Sequence, residues 1–337
     1  MVPWNGRPIN GTVVMKIEGS KLVVVGGAGL IGSHTVDRLL DEDPAEVVIF
    51  DNFERGSLGN LTSALTDSRV TVVEGNVEEL RSLQKAFIGA NGVFHFAARS
   101  LLHCYEHPRD GFEVNLAGTF NVLEACREPT VQRLVFSSSA SVYGDALEDP
   151  ISESHPFNNT TFYGATKIGD EAMIKAFYHS DGLDYVGLRY FNVYGPRQDY
   201  KGAYVAVIMK MLDSLERNEA LMVYGDGSQS YDFVSVGDCA RANVVAMTTE
   251  VVDRFYNVCT GIGTSIRELA ETLIDLTGKQ VEIEYLPEKL SFVTRRIGDP
   301  TTARDDLGFV AKTHLVDGLR ELLKYRAESR RGSSRTQ

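Results

Sequence analysis

The chain has 337 residues, of which 43% are hydrophobic and 24% charged, so it is long enough to fold around a large core. Its formal net charge is −12 at pH 7. Because an acidic surface repels nucleic-acid phosphates and anionic lipids, we expect no nucleic-acid and no membrane partner. The apolar runs are shorter than the roughly 20 residues that span a bilayer. The four cysteines are scattered without a CxxC spacing, which is typical of the reducing cytoplasm and predicts no metal site.

Short apolar runs alternate with segments of helical period through the first half of the chain. A Gly-rich turn and a predicted helix, Ile31–Leu40, follow the first of these runs. Runs that are apolar on both faces are typical of parallel strands covered by helices. The predicted strands are Lys21–Val25, Glu46–Phe50, Val70–Val73, Gly92–Phe96, Arg133–Ser137 and Tyr185–Arg189. This alternation predicts an α/β fold with a Rossmann-type doubly wound parallel sheet.

The regular alternation ends near Tyr194, which indicates a smaller C-terminal α/β domain for the substrate. In that part, Ser265 and Glu268 form a capping-box pattern at the start of a helix. The predicted elements there are Ala203–Arg217, Leu221–Tyr224, Ser265–Leu276, Glu282–Leu286 and Val316–Arg326. We therefore divide the chain into a loose leader (1–20), a nucleotide-binding domain (21–193) to which later segments return, a mainly substrate-binding domain (194–327) and a flexible tail (328–337).

Three glycines, Gly26, Gly29 and Gly32, lie between the first predicted strand and the first predicted helix. Dinucleotide binding requires such a turn, because the backbone must approach the pyrophosphate and the helix N-terminus must face it. Asp51 ends the next strand, where a carboxylate accepts from the ribose hydroxyls and repels a 2′-phosphate. The pattern favours NAD, although Arg55 lies close by; the alternative is a structural turn with an incidental aspartate.

Tyr163 and Lys167 are one helical turn apart on a predicted helix, so both lie on one face. A phenol is too weakly acidic to act as a base near neutral pH, and an adjacent ammonium is expected to lower its pKa. Ser139 follows a predicted strand, where it would point into the cofactor crevice. We predict that these three residues are catalytic.

These motifs occur together with several others in one order. They are Gly26–His34, Asp51-Asn52, His95–Ala98, Asn115–Thr119, Ser137–Gly144, Tyr163–Lys167, Arg189–Arg197 and Tyr224–Gly227. The chain resembles the extended short-chain dehydrogenase/reductase family over roughly 22–326, and within it the UDP-galactose 4-epimerase-like enzymes. The resemblance implies an NAD-dependent isomerase that oxidises C4 of a nucleotide-activated hexose to a ketone and reduces it again on the other face. A UDP-sugar is the favoured substrate.

The resemblance also implies roles for individual residues. Tyr163 would be the base, Lys167 its electrostatic support, and Ser139 a hydrogen-bond partner of the substrate. The cofactor residues would be Gly26, Gly29, Leu30, Ile31, Asp51, Asn52, Asn76, Val77, Ala97, Ala98, Asn115, Tyr163, Lys167 and Tyr190. The substrate residues would be Ser139, Ser141, Tyr163, Asn192, Arg197, Tyr224, Tyr231, Arg295 and Arg296.

A homodimer is implied as well, through the segment Phe112–Ala125 and the helix that starts at Tyr163. The apolar side chains expected at this contact are Phe112, Leu116, Phe120, Leu123, Ile168, Ala172, Ile174 and Phe177. The alternative is that both stripes only face the sheet.

Two departures from the family pattern bear on function. Related 4,6-dehydratases carry Asp-Glu after the position of Ser139, where this chain has Ala140 and Ser141. Tyr231 replaces an arginine expected on the substrate diphosphate, so Arg295, Arg296 and Arg197 become the candidates for that role. A dehydratase or keto-sugar reductase on the same scaffold remains an alternative, as does a catalytically idle NAD-sensing protein.

Overall fold

The computed structural model describes residues 14–198, 207–287 and 294–333. Its strands are β1 (Lys21–Val25), β2 (Glu46–Asp51), β3 (Val70–Glu74), β4 (Gly92–His95), β5 (Arg133–Ser139), β6 (Asp184–Tyr190), β7 (Asn192–Tyr194), β8 (Leu221–Tyr224), β9 (Ser230–Ser235), β10 (Arg254–Val258), β11 (Gly263–Ser265), β12 (Ile283–Leu286) and β13 (Arg295–Arg296). Seven of them form one parallel sheet in the order β10-β6-β5-β4-β1-β2-β3. The predicted α/β fold with a doubly wound parallel sheet is confirmed.

The sheet has its topological switch point between β1 and β4. From β1 the chain proceeds outward through β2 and β3, then returns to β4 and proceeds the other way through β5 and β6. The loops after β1 and β4 therefore diverge and leave a crevice at the carboxyl ends of the strands. The predicted dinucleotide site lies at this crevice.

Helices cover both faces of the large sheet. The α-helices are α1 (Leu30–Leu40), α2 (Leu80–Phe87), α3 (Leu101–Glu106), α4 (Pro108–Gly111), α5 (Gly118–Ala125), α6 (Phe162–Asp181), α7 (Val207–Arg217), α8 (Val236–Thr248), α9 (Ile266–Thr277), α10 (Thr301–Leu307) and α11 (Leu315–Ser333). A π-helical segment, Phe112–Ala117, precedes α5, and 3-10 turns span Leu58–Leu61, Ala64–Thr66 and Ala140–Tyr143. Helices α1 and α8 pack on one face, and α2, α5 and α6 pack on the other.

The C-terminal part of the chain has its own apolar core, contributed by α7, α9, α11 and β8. Strand β9 pairs with β7, β11 and β13, while β8 pairs with β12. The capping box predicted at α9 is present, since Ser265 and Glu268 bond to each other's backbone N–H groups. Helix α8 and strand β10 belong to the layers of the large sheet rather than to this smaller core.

Both ends of the chain depart from the predicted leader and tail. Met15 and Ile17 are buried in the main core, because their side chains pack under the sheet near Gly92, so residues 14–20 are not a loose leader. Helix α11 continues to Ser333 instead of ending at Arg326, and Arg326 pairs with Asp213 and Glu216 across to α7. Residues 1–13, 203–206 of the predicted helix Ala203–Arg217, and 334–337 lie outside the described residues.

Candidate active site

A cavity of about 370 Å³ opens at the switch point of the large sheet. Its walls come from the ends of β1 to β5, the N-terminus of α1 and the first turn of α6. Asp51 lies at one end, after β2, and Ser137 and Lys167 lie at the other, beside β5. Strands β2 and β5 are three strand spacings apart, about 14 Å, so the cavity suits an elongated ligand such as a dinucleotide.

The backbone at Gly26 explains why the turn after β1 needs glycine. Gly26 has φ +80°, and a Cβ there would lie 2.6 Å from the backbone nitrogen of Ala97. The two loops at the switch point thus touch through their main chains, leaving the space above them to the ligand. The N-terminus of α1, at Leu30, faces this space and offers unpaired N–H groups to a pyrophosphate.

Asp51 is buried, and its side chain is hydrogen-bonded to the backbone of the glycine-rich turn. One carboxylate oxygen accepts from the backbone N–H of Ala28 at 2.9 Å and the other from that of Phe53 at 2.8 Å. A carboxylate oxygen has two lone pairs, so it can accept from a ribose hydroxyl as well as from a backbone N–H. The side chain lines the cavity, so its position and chemistry fit the predicted contact with the adenosine ribose.

Most of the predicted cofactor residues line the cavity, namely Gly26, Gly29, Leu30, Ile31, Asp51, Asn52, Asn76, Val77, Ala97, Ala98, Tyr163 and Lys167. Asn115 and Tyr190 do not. Asn115 is fully buried behind the wall, where its side chain accepts from the Arg99 N–H at 2.6 Å and donates to Thr166 at 3.1 Å. The phenol of Tyr190 donates to Asn243 at 2.5 Å within the main core. Asn115 therefore anchors the loop after β4 to α6, and Tyr190 fixes α8 against the sheet.

Sequence reasoning missed several polar side chains in the wall. Arg99 and Gln198 line the cavity, and Arg99 pairs with Glu54 and with Asp110, the latter at 2.7 Å. Arg99 directly follows the Ala97-Ala98 motif, and this adjacency was a usable signal. Gln198 reaches the cavity only through the tertiary fold, which no local pattern reveals.

Tyr163 and Ser139 meet as predicted, at the end of β5 and the start of α6. The hydroxyl of Ser139 lies close enough to that of Tyr163 to act on its pKa, and Ser139 accepts from the Ser141 N–H at 3.1 Å. Thr161 caps α6 by accepting from the Gly164 N–H at 3.0 Å, which fixes the first turn that carries Tyr163. Burial raises the pKa of Tyr163 to about 12, although the Ser139 hydrogen bond and the charge of Arg296 act in the opposite direction.

Lys167 lines the cavity beside Tyr163 as expected, but the pKa of Tyr163 is raised by burial and not lowered by the ammonium. The ammonium donates to the Ser137 carbonyl at 3.0 Å and lies 3.7 Å from the carboxylate of Asp170. Its positive charge is therefore balanced by a buried carboxylate, and burial dominates at Tyr163.

Arg296 is a buried cation on the strand next to Tyr231, the residue that replaces the expected arginine. Its Cα faces that of Tyr231 across β13 and β9, and its side chain donates to the Gly144 carbonyl at 3.3 Å. The positive charge of Arg296 acts on Tyr163, although its side chain is not among those that line the cavity. Tyr231 itself is partly buried and packs edge-on against Phe233.

The other predicted substrate residues are dispersed. Arg295 is exposed and pairs with Asp149. Arg197 pairs with Asp37 at 2.6 Å and lines a neighbouring cavity of about 500 Å³ rather than the one that holds Tyr163. Asn192 donates to the Asp232 carbonyl at 3.2 Å, Ser141 is buried in the turn after β5, and Tyr224 is exposed. Among the three candidate arginines, Arg296 is the one whose charge acts on Tyr163.

Within the described ranges, no group of three or more His, Cys, Asp or Glu side chains is arranged to hold a metal ion. No helix in the same part of the chain is long and apolar enough to cross a membrane.

Comparisons with known proteins give one family. The model of the NAD dependent epimerase/dehydratase family matches residues 22–259. A UDP-glucose 4-epimerase of Mycolicibacterium smegmatis is 33% identical over 90% of this chain and 98% of its own length. A UDP-N-acetylglucosamine 4-epimerase of Methanobrevibacter ruminantium, solved with UDP-N-acetylmuramic acid, superposes with a TM-score of 0.88 at 32% identity, over 93% of this chain and 99% of that one. A UDP-glucose 4-epimerase of Thermus thermophilus, solved with NAD, superposes with a TM-score of 0.82 at 32% identity, over 91% and 99%.

Proposed function

Because the chain belongs to the NAD-dependent epimerase/dehydratase family, we propose that it interconverts the C4 epimers of a UDP-hexose. The family and the NAD cofactor predicted from the sequence are confirmed, and the enzyme is an NAD-dependent nucleotide-sugar epimerase of the isomerase class. The observation that carries the proposal is the meeting of Ser139 and Tyr163 at one end of a cavity whose other end presents Asp51. The UDP moiety is supported by the UDP-sugar bound to the similar Methanobrevibacter enzyme.

The residues of the chain suit the proton transfer that 4-epimerisation requires. NAD, when bound, supplies a hydride acceptor beside the sugar. In its phenolate form, Tyr163 would accept the proton of the C4 hydroxyl and later return it, so that no proton need be exchanged with solvent. Ser139 lies close to the phenol and would bond the same sugar oxygen, which would orient the hydroxyl for this transfer. Arg296 favours the phenolate because its positive charge faces the phenol.

The turn after Ser139 argues against the dehydratase alternative. Elimination of water from a sugar needs an acid–base pair beside the reacting carbons. Here Ala140 and Ser141 occupy the turn, both are buried, and neither side chain is an acid. The turn after Ser139 therefore lacks the acid–base pair that loss of the C6 hydroxyl would need, whereas oxidation and reduction at C4 do not need it.

We propose further that Arg296 binds the diphosphate of the substrate. The guanidinium is buried and its charge acts on Tyr163, and a charge-assisted contact between a buried guanidinium and a phosphate is strong. Arg295, the adjacent residue, points to the surface and pairs with Asp149. Arg197 pairs with Asp37 and Arg295 pairs with Asp149, so Arg296 is the best-supported of the three candidates.

We also propose that the protein acts as a homodimer in the cytoplasm. Phe112 and Phe120 are 49% and 42% exposed on the segment that ends with α5, and they form the apolar part of the proposed contact. Leu123, Ile174 and Phe177, which the sequence analysis placed in the contact, are instead buried against the large sheet. The four cysteines are buried and form no disulfide with one another, which suits a reducing compartment.

The function is tested by incubating the protein and NAD with UDP-glucose and, separately, with UDP-N-acetylglucosamine, and following the sugar protons by NMR. We expect the C4 epimer to form from at least one of the two. Tyr163→Phe is the control and should give none. If neither UDP-sugar is epimerised, a screen of GDP-, dTDP- and CDP-sugars decides whether the nucleotide or the reaction was assigned wrongly.

A further inference from the structure

A second carboxylate lies in the interior directly behind the catalytic residues. Asp170 follows Lys167 by one turn of α6 and is fully buried, and its Oδ2 lies 3.7 Å from the ammonium of Lys167. Neither oxygen has a hydrogen-bond partner of normal geometry among the described residues. The polar groups beside the carboxylate are Lys167 and the hydroxyl of Thr119. None of the steps described above uses Asp170.

A buried, ionised aspartate in this position destabilises the fold unless a group of opposite charge lies close to it. A buried carboxylate without hydrogen bonds is stable only when a cation lies close to it or when it binds a proton. Burial accordingly raises the pKa of Asp170 and lowers that of Lys167, while their mutual attraction acts in the opposite direction on both. The two groups therefore depend on each other for their charge states.

The ammonium of Lys167 has neighbours on two elements, β5 and α6. Lys167 Nζ donates to the Ser137 carbonyl and lies 4.7 Å from the centre of the Phe136 ring, on the inner side of the cavity wall. Asp170 attracts the same ammonium toward the interior. The negative charge of Asp170 also acts on Tyr163, where it opposes the phenolate.

The other titratable groups around this pair come from several elements. They are His95 on β4, Cys104 on α3, Tyr163 and Glu171 on α6, and Arg296 on β13, which faces Tyr163. Glu171 is paired with Arg189 at 2.7 Å, and burial lowers the pKa of His95 to about 3, so that the imidazole is neutral near pH 7. Of the two neighbouring carboxylates, Glu171 is paired with Arg189, and Asp170 is the one paired with Lys167.

We propose that Asp170 is a positioning residue for Lys167, which holds the ammonium at the inner wall of the cavity and sets the pH range in which Tyr163 acts as the base. The inference rests on the proposed function for the role of Tyr163. When Asp170 is ionised, it balances Lys167 and Tyr163 keeps its proton more firmly. When Asp170 is neutral, the full charge of Lys167 acts on the phenol and favours the phenolate.

The test titrates Tyr163 directly and needs no substrate. Ultraviolet difference absorption of tyrosinate is recorded against pH for the parent and for Asp170→Asn. The same titration with Tyr163→Phe added to each is subtracted, which isolates Tyr163 from the other 13 of the 14 tyrosines. We expect the midpoint of Tyr163 in Asp170→Asn to lie roughly half a pH unit to one unit lower, since a like charge is removed. Asp170→Ser removes the same charge and should give the same shift, and it replaces the asparagine variant if that variant does not fold.

Asp181→Asn is the matched control, because Asp181 is a second buried aspartate on α6 that pairs with Arg127 away from the cavity. It should leave the midpoint of Tyr163 at the parent value. An unchanged or raised midpoint in both Asp170 variants, or an equal shift in Asp181→Asn, would overturn the inference. Failure of the epimerase assay leaves this titration unaffected, so the two proposals fail separately.

Discussion

Arg296 and Tyr231 occupy the same register position on the adjacent parallel strands β13 and β9. Paired residues of parallel strands project from the same face of a sheet, so the guanidinium of Arg296 leaves the sheet on the side from which the phenol of Tyr231 projects. An arginine at either position can therefore serve the same part of the site. We propose that Arg296 takes the place of the arginine expected at position 231.

Replacement of Arg296 by alanine should weaken the binding of a UDP-sugar by about ten- to a hundredfold, the range for a lost charge-assisted contact. NAD content should not change, because Arg296 lies on β13 and does not line the cavity to which Asp51 and most of the predicted NAD residues belong. Isothermal titration with UDP measures the effect. Arg295→Ala is the control, since Arg295 is exposed and paired with Asp149. Equal affinities for the two variants would place the diphosphate elsewhere.

Removal of the phenolic oxygen in Tyr163→Phe should lower turnover by at least roughly a hundredfold, which is the lower range for a positioned acid–base group. The fold should persist, because the ring keeps its packing and Thr161 still caps α6. Turnover is measured by NMR, and NAD content by absorbance after denaturation. Activity near that of the parent would remove Tyr163 from the mechanism.

The large sheet was predictable from the sequence because parallel strands buried on both faces are unbroken apolar runs. The glycine turn and Asp51 were predictable because their spacing follows from the βαβ geometry that places them at one crevice. The electrostatics of the site were not predictable. Asp170 lies beside Lys167 in sequence as an ordinary helix residue, and only its burial against the sheet shows that it balances the ammonium.

The residues of the proposed dimer contact could also be predicted only in part from the sequence. Periodicity identified apolar stripes on two segments but did not distinguish the residues that face the sheet from those that face outward. Leu123 and Ile174 turned out to be fully buried, and Phe120 to be 42% exposed. The side of a helix that meets solvent depends on the neighbouring elements, which the pattern alone does not fix.

His95 should make the fold sensitive to acid. Its imidazole is buried, with Nε2 3.0 Å from the Thr119 hydroxyl, and burial lowers its pKa from 6.5 to about 3. Between these two pH values the unfolded chain binds a proton at His95 that the folded protein does not bind. The free energy of unfolding therefore falls as the pH is lowered below about 6.5. The loss approaches about 1.4 kcal/mol per pH unit. His95→Gln keeps a polar group for Thr119 without titrating.

Urea unfolding of the parent and of His95→Gln between about pH 6.5 and about pH 4.5 measures this difference. The free energy of unfolding should fall less steeply in the variant as the pH is lowered. The same slope in both proteins would mean that the acid sensitivity comes from other groups.

The proposed dimer should be disrupted by a charge on the exposed apolar surface of Phe112 and Phe120. Phe120→Glu is expected to convert the dimer to a monomer at micromolar concentration, because an isologous contact places the new charge opposite its own copy. Light scattering measures the mass. Ile88→Glu, at an exposed apolar residue that follows α2, is the control and should remain dimeric. A monomeric parent would contradict the dimer itself.

The central claim is that C4 of a nucleotide sugar is oxidised and reduced again within one closed site, and isotope labelling at C4 tests it most directly. A UDP-hexose carrying deuterium at C4 is incubated with the protein and NAD, and the product is analysed by NMR and mass spectrometry. We predict a C4 epimer that retains the deuterium at C4, because the hydride that leaves this carbon is the one that returns. An epimer that has lost the label, or a labelled substrate converted only to a dehydrated or reduced sugar, would contradict the account.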